Sequence, residues 1–207
     1  MLASWFYMIS YLVVGTFAFG IRALIHRRRT GSSGMNGISG PAFSAAWWAG
    51  VLFAVAIALG LLAPIAALVG VVEPIGAMVA VPLQLVAAVL ILAGGTATVL
   101  AQAAMGASWR VGVDEGEITT LVTGGPFRLV RNPIFTAMAT TSIGWTLLVP
   151  SALSLAALAA LITAIELQVR VIEEPYLIRT HGSDYLTYAS SAGRFVPALG
   201  RLSAAAS

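Results

Sequence analysis

Charge is what this 207-residue sequence has least of. Only 9% of its residues are Asp, Glu, Lys or Arg, against 59% hydrophobic. A water-soluble domain carries about 25% charged residues, and so sparse a set cannot cover a surface that faces water. The mean hydropathy of +0.94 points the same way. Cysteine is absent, which excludes a disulfide framework, an iron–sulfur cluster and a thiolate zinc site. His26 and His181 stand alone in the sequence, so no metal is expected. Lysine is absent too: all eleven basic residues are Arg. With so few charges, the net +3 reads as a topology signal at a membrane surface rather than as a nucleic-acid footprint. The all-Arg, Ala/Gly/Val-rich composition suggests a GC-rich bacterial source, and hence a plasma membrane. The fold class is all-α, a polytopic integral membrane protein.

Uncharged runs locate the crossings. Each needs about 20 residues to traverse a hydrocarbon core of about 30 Å. Residues 2–21 are the first run, with Arg22 and the HRRR segment, residues 26–29, behind it. Charges that follow the apolar run are the reverse of a signal peptide. This reads as a retained helix that starts outside and ends in the cytoplasm. A Gly/Ser-rich loop over 29–41 comes next. A second helix is expected over 42–63, ended by Pro64, then a turn over 65–74 and a third helix over 75–104. Residues 132–165 read as a helical hairpin turned by Val149-Pro150-Ser151, whose second arm is a fifth helix over 152–172. Every Arg then falls in 22–29, 110–131 or 170–201. Five crossings put all of them on the cytoplasmic side with the C-terminus and leave Glu73 outside, as the positive-inside rule prefers.

Polar chemistry is mostly gathered in residues 105–135 and 166–201, which divides the chain into three helices over 1–104 and a half over 105–207 that is the candidate catalytic one. A transporter more often carries polar groups near the bilayer midplane. The first stretch holds Asp114, Glu115 and Glu117, a short β-branched run over 118–122, the turn Gly124-Gly125-Pro126, and Asn132-Pro133. Asn at the N-cap and Pro at N1 announce a helix, and a helix start is a ready anion site. The plain alternative is that Asn132 only caps the helix. The second stretch holds Glu166, Arg170, Glu173 and Glu174 at spacings that share a helical face, followed by Tyr176, Tyr185 and Tyr188. Two adjacent acids beside one Arg exceed what a snorkelling surface pair requires.

Taken together, the segments GGPF (124–127), RNPIF (131–135), EEPYL (173–177), HGSDYLTY (181–188) and RFVP (194–197) resemble the isoprenylcysteine carboxyl methyltransferase family, integral membrane enzymes that use S-adenosylmethionine. The resemblance covers about residues 102–197. Asn132 stands where the family usually has His, and Phe135 where it usually has Tyr. The resemblance implies a cytoplasm-facing cofactor site built from Thr119, Thr120, Leu121, Val122, Phe127, Asn132, Pro133, Ile134, Phe135 and Glu173. It implies a lipophilic acceptor, an isoprenylcysteine carboxylate or another small lipid, that enters from the membrane. Arg131 or Arg170 is expected to orient an anionic acceptor, with Glu174 orienting the Arg. Two other readings stand beside it: a membrane reductase using NADPH, and a non-enzymatic transporter or structural protein.

Overall fold

The computed structural model describes residues 1–34, 37–38, 40–76, 80–109 and 120–203. Regular structure among them is helical, with an isolated parallel bridge between Val130 and Gly193. Helix α1 is Leu2–Thr30, with a π-helical turn at Thr16–Ile21. Helix α2 is Ala45–Leu68, α3 is Val81–Met105 and α4 is Pro133–Leu148. Helix α5 is Ala152–Ser191, with a π-helical turn at Gln168–Glu173 and a kink at Gly182.

Helices α1, α2, α3 and α5 are each long and apolar enough to cross a membrane. On α3 the stripe Leu85, Val89 and Leu92 is 64–65% exposed, an apolar face that suits lipid and not water. Helix α4 has 16 residues. At 1.5 Å per residue that is about 24 Å, less than a core of about 30 Å.

Several boundaries differ from the expectations. Helix α1 continues past residue 21, so the HRRR run is helical. Pro64 does not end α2, which runs on to Leu68 with the proline inside it; a helix among other helices tolerates the missing N–H bond. Helix α3 starts at Val81 rather than at residue 75. Helix α5 passes residue 172 and continues to Ser191. The hairpin turn is where expected. Ser151 Oγ accepts from Ser154 N at 3.2 Å and Ser154 Oγ from Ser151 N at 2.9 Å, a reciprocal cap at the start of α5.

The tightest packing joins α3 to α4 and α2 to the first half of α5. Glycine permits the first contact. A Cβ on Gly144 would meet Ala87 O at 2.8 Å, and one on Gly94 would meet Thr141 Oγ1 at 2.4 Å. Small residues at helix interfaces let backbones approach where no hydrophobic force drives association. The end of α3, the start of α4 and the middle of α5 thereby meet at one end of the bundle. Arg22 on α1 reaches the same end and donates from Nη2 to Gly106 O at 2.5 Å.

Candidate active site

A cavity of about 380 Å³ opens at that end. Its walls include Thr120, Leu121, Val122, Phe127, Arg131, Asn132, Pro133, Ile134, Phe135, Glu173 and Glu174. These are the residues expected from the sequence, with two exceptions. Thr119 lies outside the described residues, as do Asp114, Glu115 and Glu117. Arg170 is not among the lining residues. It is 55% exposed and pairs with Glu166 one turn back.

The π-helical turn explains the separation. An α-helical register would put Arg170 beside Glu174. The wider turn over Gln168–Glu173 shifts the phase, and Glu174 turns inward, 6% exposed. Its Oε1 accepts from Arg131 Nη2 at 2.6 Å and from Arg194 Nε at 2.9 Å, and its Oε2 accepts from Arg194 Nη2 at 2.8 Å. The partners of Glu174 are Arg131 and Arg194, not Arg170. The bonds to the Glu174 carboxylate raise the Arg194 guanidinium above its ordinary value against the opposing effect of burial. Glu173, the neighbouring acid, lines the cavity and accepts from Gln168 Nε2 at 3.1 Å.

Arg131 is buried and its Nη groups are committed to the protein. Nη1 donates to Ala192 O at 2.7 Å and Ala189 O at 3.2 Å; Nη2 donates to Gly200 O at 3.0 Å besides Glu174. Nε is buried and meets no acceptor among the described residues. The guanidinium therefore acts as a clamp on the segment after α5 rather than as a fork open to an acceptor.

That segment is stitched to the start of α4 along its length. Arg131 N donates to Gly193 O at 2.7 Å and Gly193 N to Leu129 O at 3.1 Å. Asn132 N and Nδ2 both donate to Arg194 O, at 3.2 and 3.1 Å. Asn132 is indeed the N-cap residue, yet its side chain does not cap the helix; it binds the C-terminal segment instead. Thr136 Oγ1 reaches Phe195 O at 2.8 Å, and Tyr188 OH donates to Phe127 O at 2.8 Å.

Sequence reasoning missed Arg194 as a partner in the buried cluster, although RFVP marked its place. It missed the N-terminal contribution altogether. Phe19, Ala49, Phe53 and Ile57 line the cavity beside Gln102 and Trp109. Gln102 Nε2 donates to Ala18 O at 2.9 Å, and Trp109, 2% exposed, lies under the Arg22 guanidinium at 5.0 Å. Nothing in residues 1–57 distinguishes a wall of a site from a plain apolar crossing. Among the described residues, no three His, Cys, Asp or Glu side chains gather as a metal site.

No curated protein matches the chain. The matching family carries a methyltransferase description, with phospholipid rather than isoprenylcysteine in its name. From α3 through α4 and into α5, residues 83–184 match the phospholipid methyltransferase family model, so this part of the chain is similar to a family of membrane methyltransferases.

Proposed function

We propose that the protein transfers a methyl group from S-adenosylmethionine to a lipophilic acceptor at the membrane surface. The observation that carries this reading is an overlap. The segment that matches the family, residues 83–184, supplies the polar wall of the cavity, from Thr120 to Glu174. The donor set suits the cofactor. Glu173 is an acid for its ammonium. The first intrahelical bond of α4 runs from Thr136 N to Asn132 O, so the N–H groups of Ile134 and Phe135 precede it and suit a carboxylate. Phe127 and Phe135 offer faces for adenine.

S-adenosylmethionine supplies an electrophilic methyl on a sulfonium, and an anionic or thiolate acceptor needs no base to take it. The protein's part is then positioning and exclusion of water. Arg131, Glu174 and Arg194 act as positioning residues, because they tie α4, α5 and the C-terminal segment into one wall. The apolar side of the cavity, with Phe53, Ile57, Met138 and Ile165, suits an acceptor that arrives from the bilayer. An isoprenylcysteine carboxylate and the headgroup of a small lipid are both acceptors of this class. In this reading the site faces the cytoplasm, the 16-residue α4 completes five crossings where the bilayer thins locally around it, and the N-terminus is outside.

The test is to incubate purified protein with methyl-labelled S-adenosylmethionine and a total lipid extract, then separate the products. Label in an organic-soluble product supports the reading. Label that stays in the aqueous phase, with folded protein, contradicts it.

A further inference from the structure

A second cavity of about 110 Å³ lies beside the first. Phe19, Phe53, Ile57 and Met138 line both, so the two spaces share a wall. Each helix steps away from the polar end in passing from one to the other. Helix α2 goes from Phe53 to Gly60, α3 from Gln102 to Thr98, and α4 from Met138 to Trp145. Trp145 is twelve residues from the start of α4, about 18 Å at 1.5 Å per residue. That is more than half of a hydrocarbon core of about 30 Å.

The chamber is apolar in its chemistry as well as its depth. Thr98 and Thr141 line it, but their hydroxyls are bonded to Gly94 O and Ala137 O, both at 2.9 Å. Its far end is aromatic. Tyr7 stacks on Trp145 at 5.8 Å and Tyr11 leans on it at 4.6 Å. Two of the polar atoms there are turned to partners: Tyr11 OH donates to Ile57 O at 2.8 Å and Trp145 Nε1 to Ser10 Oγ at 2.9 Å; Tyr7 and Ser142 add two hydroxyls to an otherwise apolar lining. A cavity lined mainly by carbon accepts hydrocarbon in preference to polar ligands.

We infer that this chamber holds the hydrocarbon tail of the methyl acceptor, and that the Tyr7–Tyr11–Trp145 cluster limits the length of tail that fits. The inference rests on the methyltransferase reading for the word acceptor, but the chamber can be tested without it. Phe19 and Phe53, 6.2 Å apart and edge to face, stand in the wall that the two spaces share. Both precede the segment that matches the family, residues 83–184. Tail selection would thus belong to the N-terminal helices, and methyl transfer to the matched part.

Gly15 offers a clean probe. It lines the chamber, and a Cβ there would meet nothing within 4 Å. Gly15→Leu fills space without a backbone clash, and Gly15→Ala is the size control. The first arm uses no cofactor. Protein in phosphatidylcholine nanodiscs is irradiated with a fatty acid carrying a terminal diazirine, and the adducts are mapped by mass spectrometry. Adducts on Tyr11, Met138 or Trp145 are expected in wild type and Gly15→Ala, and at least five-fold fewer in Gly15→Leu. Adducts on lipid-facing Leu85 and Leu92 should stay constant. Chamber adducts that are absent, or equal in all three proteins, overturn the inference. The second arm reads the chain lengths of products labelled from lipid extract. Gly15→Leu should shift them toward shorter tails, and an unchanged distribution would assign the chamber to a resident lipid and overturn the acceptor claim. If the adducts appear as expected while no protein transfers methyl groups, the tail chamber stands and the methyltransferase reading falls.

Discussion

Arg131 Nη2 lies 2.6 Å from Glu174 Oε1, with the two side chains 2% and 8% exposed, and this contact locks the start of α4 to the middle of α5. Removing one member of a buried pair strands the other, at a cost of about 3–5 kcal/mol. Glu174→Gln would leave Arg131 and Arg194 without their shared carboxylate. It is expected to lower the unfolding temperature and to abolish transfer. Arg131→Lys keeps the charge but cannot copy the planar fork that serves Glu174 and three carbonyls. A drop of ten-fold or more in transfer, together with lower thermal stability, is expected. Activity and stability within two-fold and two degrees of wild type would remove Arg131 from the positioning role.

Gly193 is the hinge of the C-terminal segment. A Cβ there would lie 2.0 Å from Val196 O and 2.9 Å from Ala198 N, so Gly193→Ala must open the turn that places Arg194. We expect it to destabilise the fold by about 2 kcal/mol or more, as steric conflicts with backbone do, and to impair transfer by displacing Arg194. Thermal unfolding in nanodiscs reads the first effect. An unchanged unfolding temperature would mean that the segment contributes nothing to the wall.

The two charges that the sequence placed in the site and that the structure separates make a matched comparison. Glu173→Gln removes the acid proposed for the cofactor ammonium. A lost charged hydrogen bond costs about 1.5–3 kcal/mol, roughly ten-fold or more in affinity. Arg170→Gln breaks an exposed pair with Glu166, and such pairs contribute about 0–1 kcal/mol. Titration with S-adenosylmethionine should therefore rank Glu173→Gln far weaker than Arg170→Gln, with the latter close to wild type. Equal affinities for the two variants would withdraw Glu173.

How much of this was legible in the sequence follows from the range of each signal. Apolar runs and Asn132-Pro133 are local, and they yielded the helices and the start of α4. The GGPF, RNPIF and EEPYL segments gathered the part of the cavity lining that runs through Phe127, Arg131–Phe135, Glu173 and Glu174, and left out the N-terminal wall. The π-helical turn over Gln168–Glu173 was not legible, because spacing assumes 3.6 residues per turn; that is why Arg170 was grouped with Glu174. Pro64 misled for a related reason: a proline breaks an isolated helix, but a helix held by its neighbours carries it. The partnership of Arg194 with Glu174 joins residues twenty positions apart across a turn that depends on Gly193, and no local pattern encodes it.

The topology has its own test. Arg22 on α1 touches Gly106 after α3, and Asn132 before α4 touches Arg194 after α5. Trp109, under Arg22, and Asn132 line one cavity, so the end of α1 and the start of the segment after α5 belong to the same end of the bundle. Reporter fusions within residues 31–40 and at Ser207 are both expected to report the cytoplasm. An external signal from either would break the proposed orientation.

Ligand choice bears most directly on the central claim. Purified protein in nanodiscs should be titrated with S-adenosylmethionine and, separately, with NADPH, following the unfolding temperature. A ligand that binds only the folded form raises apparent stability by about 2.7 kcal/mol at a hundred times its Kd. The proposed site predicts a saturable rise with S-adenosylmethionine that is lost or much weakened in Glu173→Gln, and none with NADPH. A rise with NADPH and no response to S-adenosylmethionine would contradict the methyltransferase reading outright.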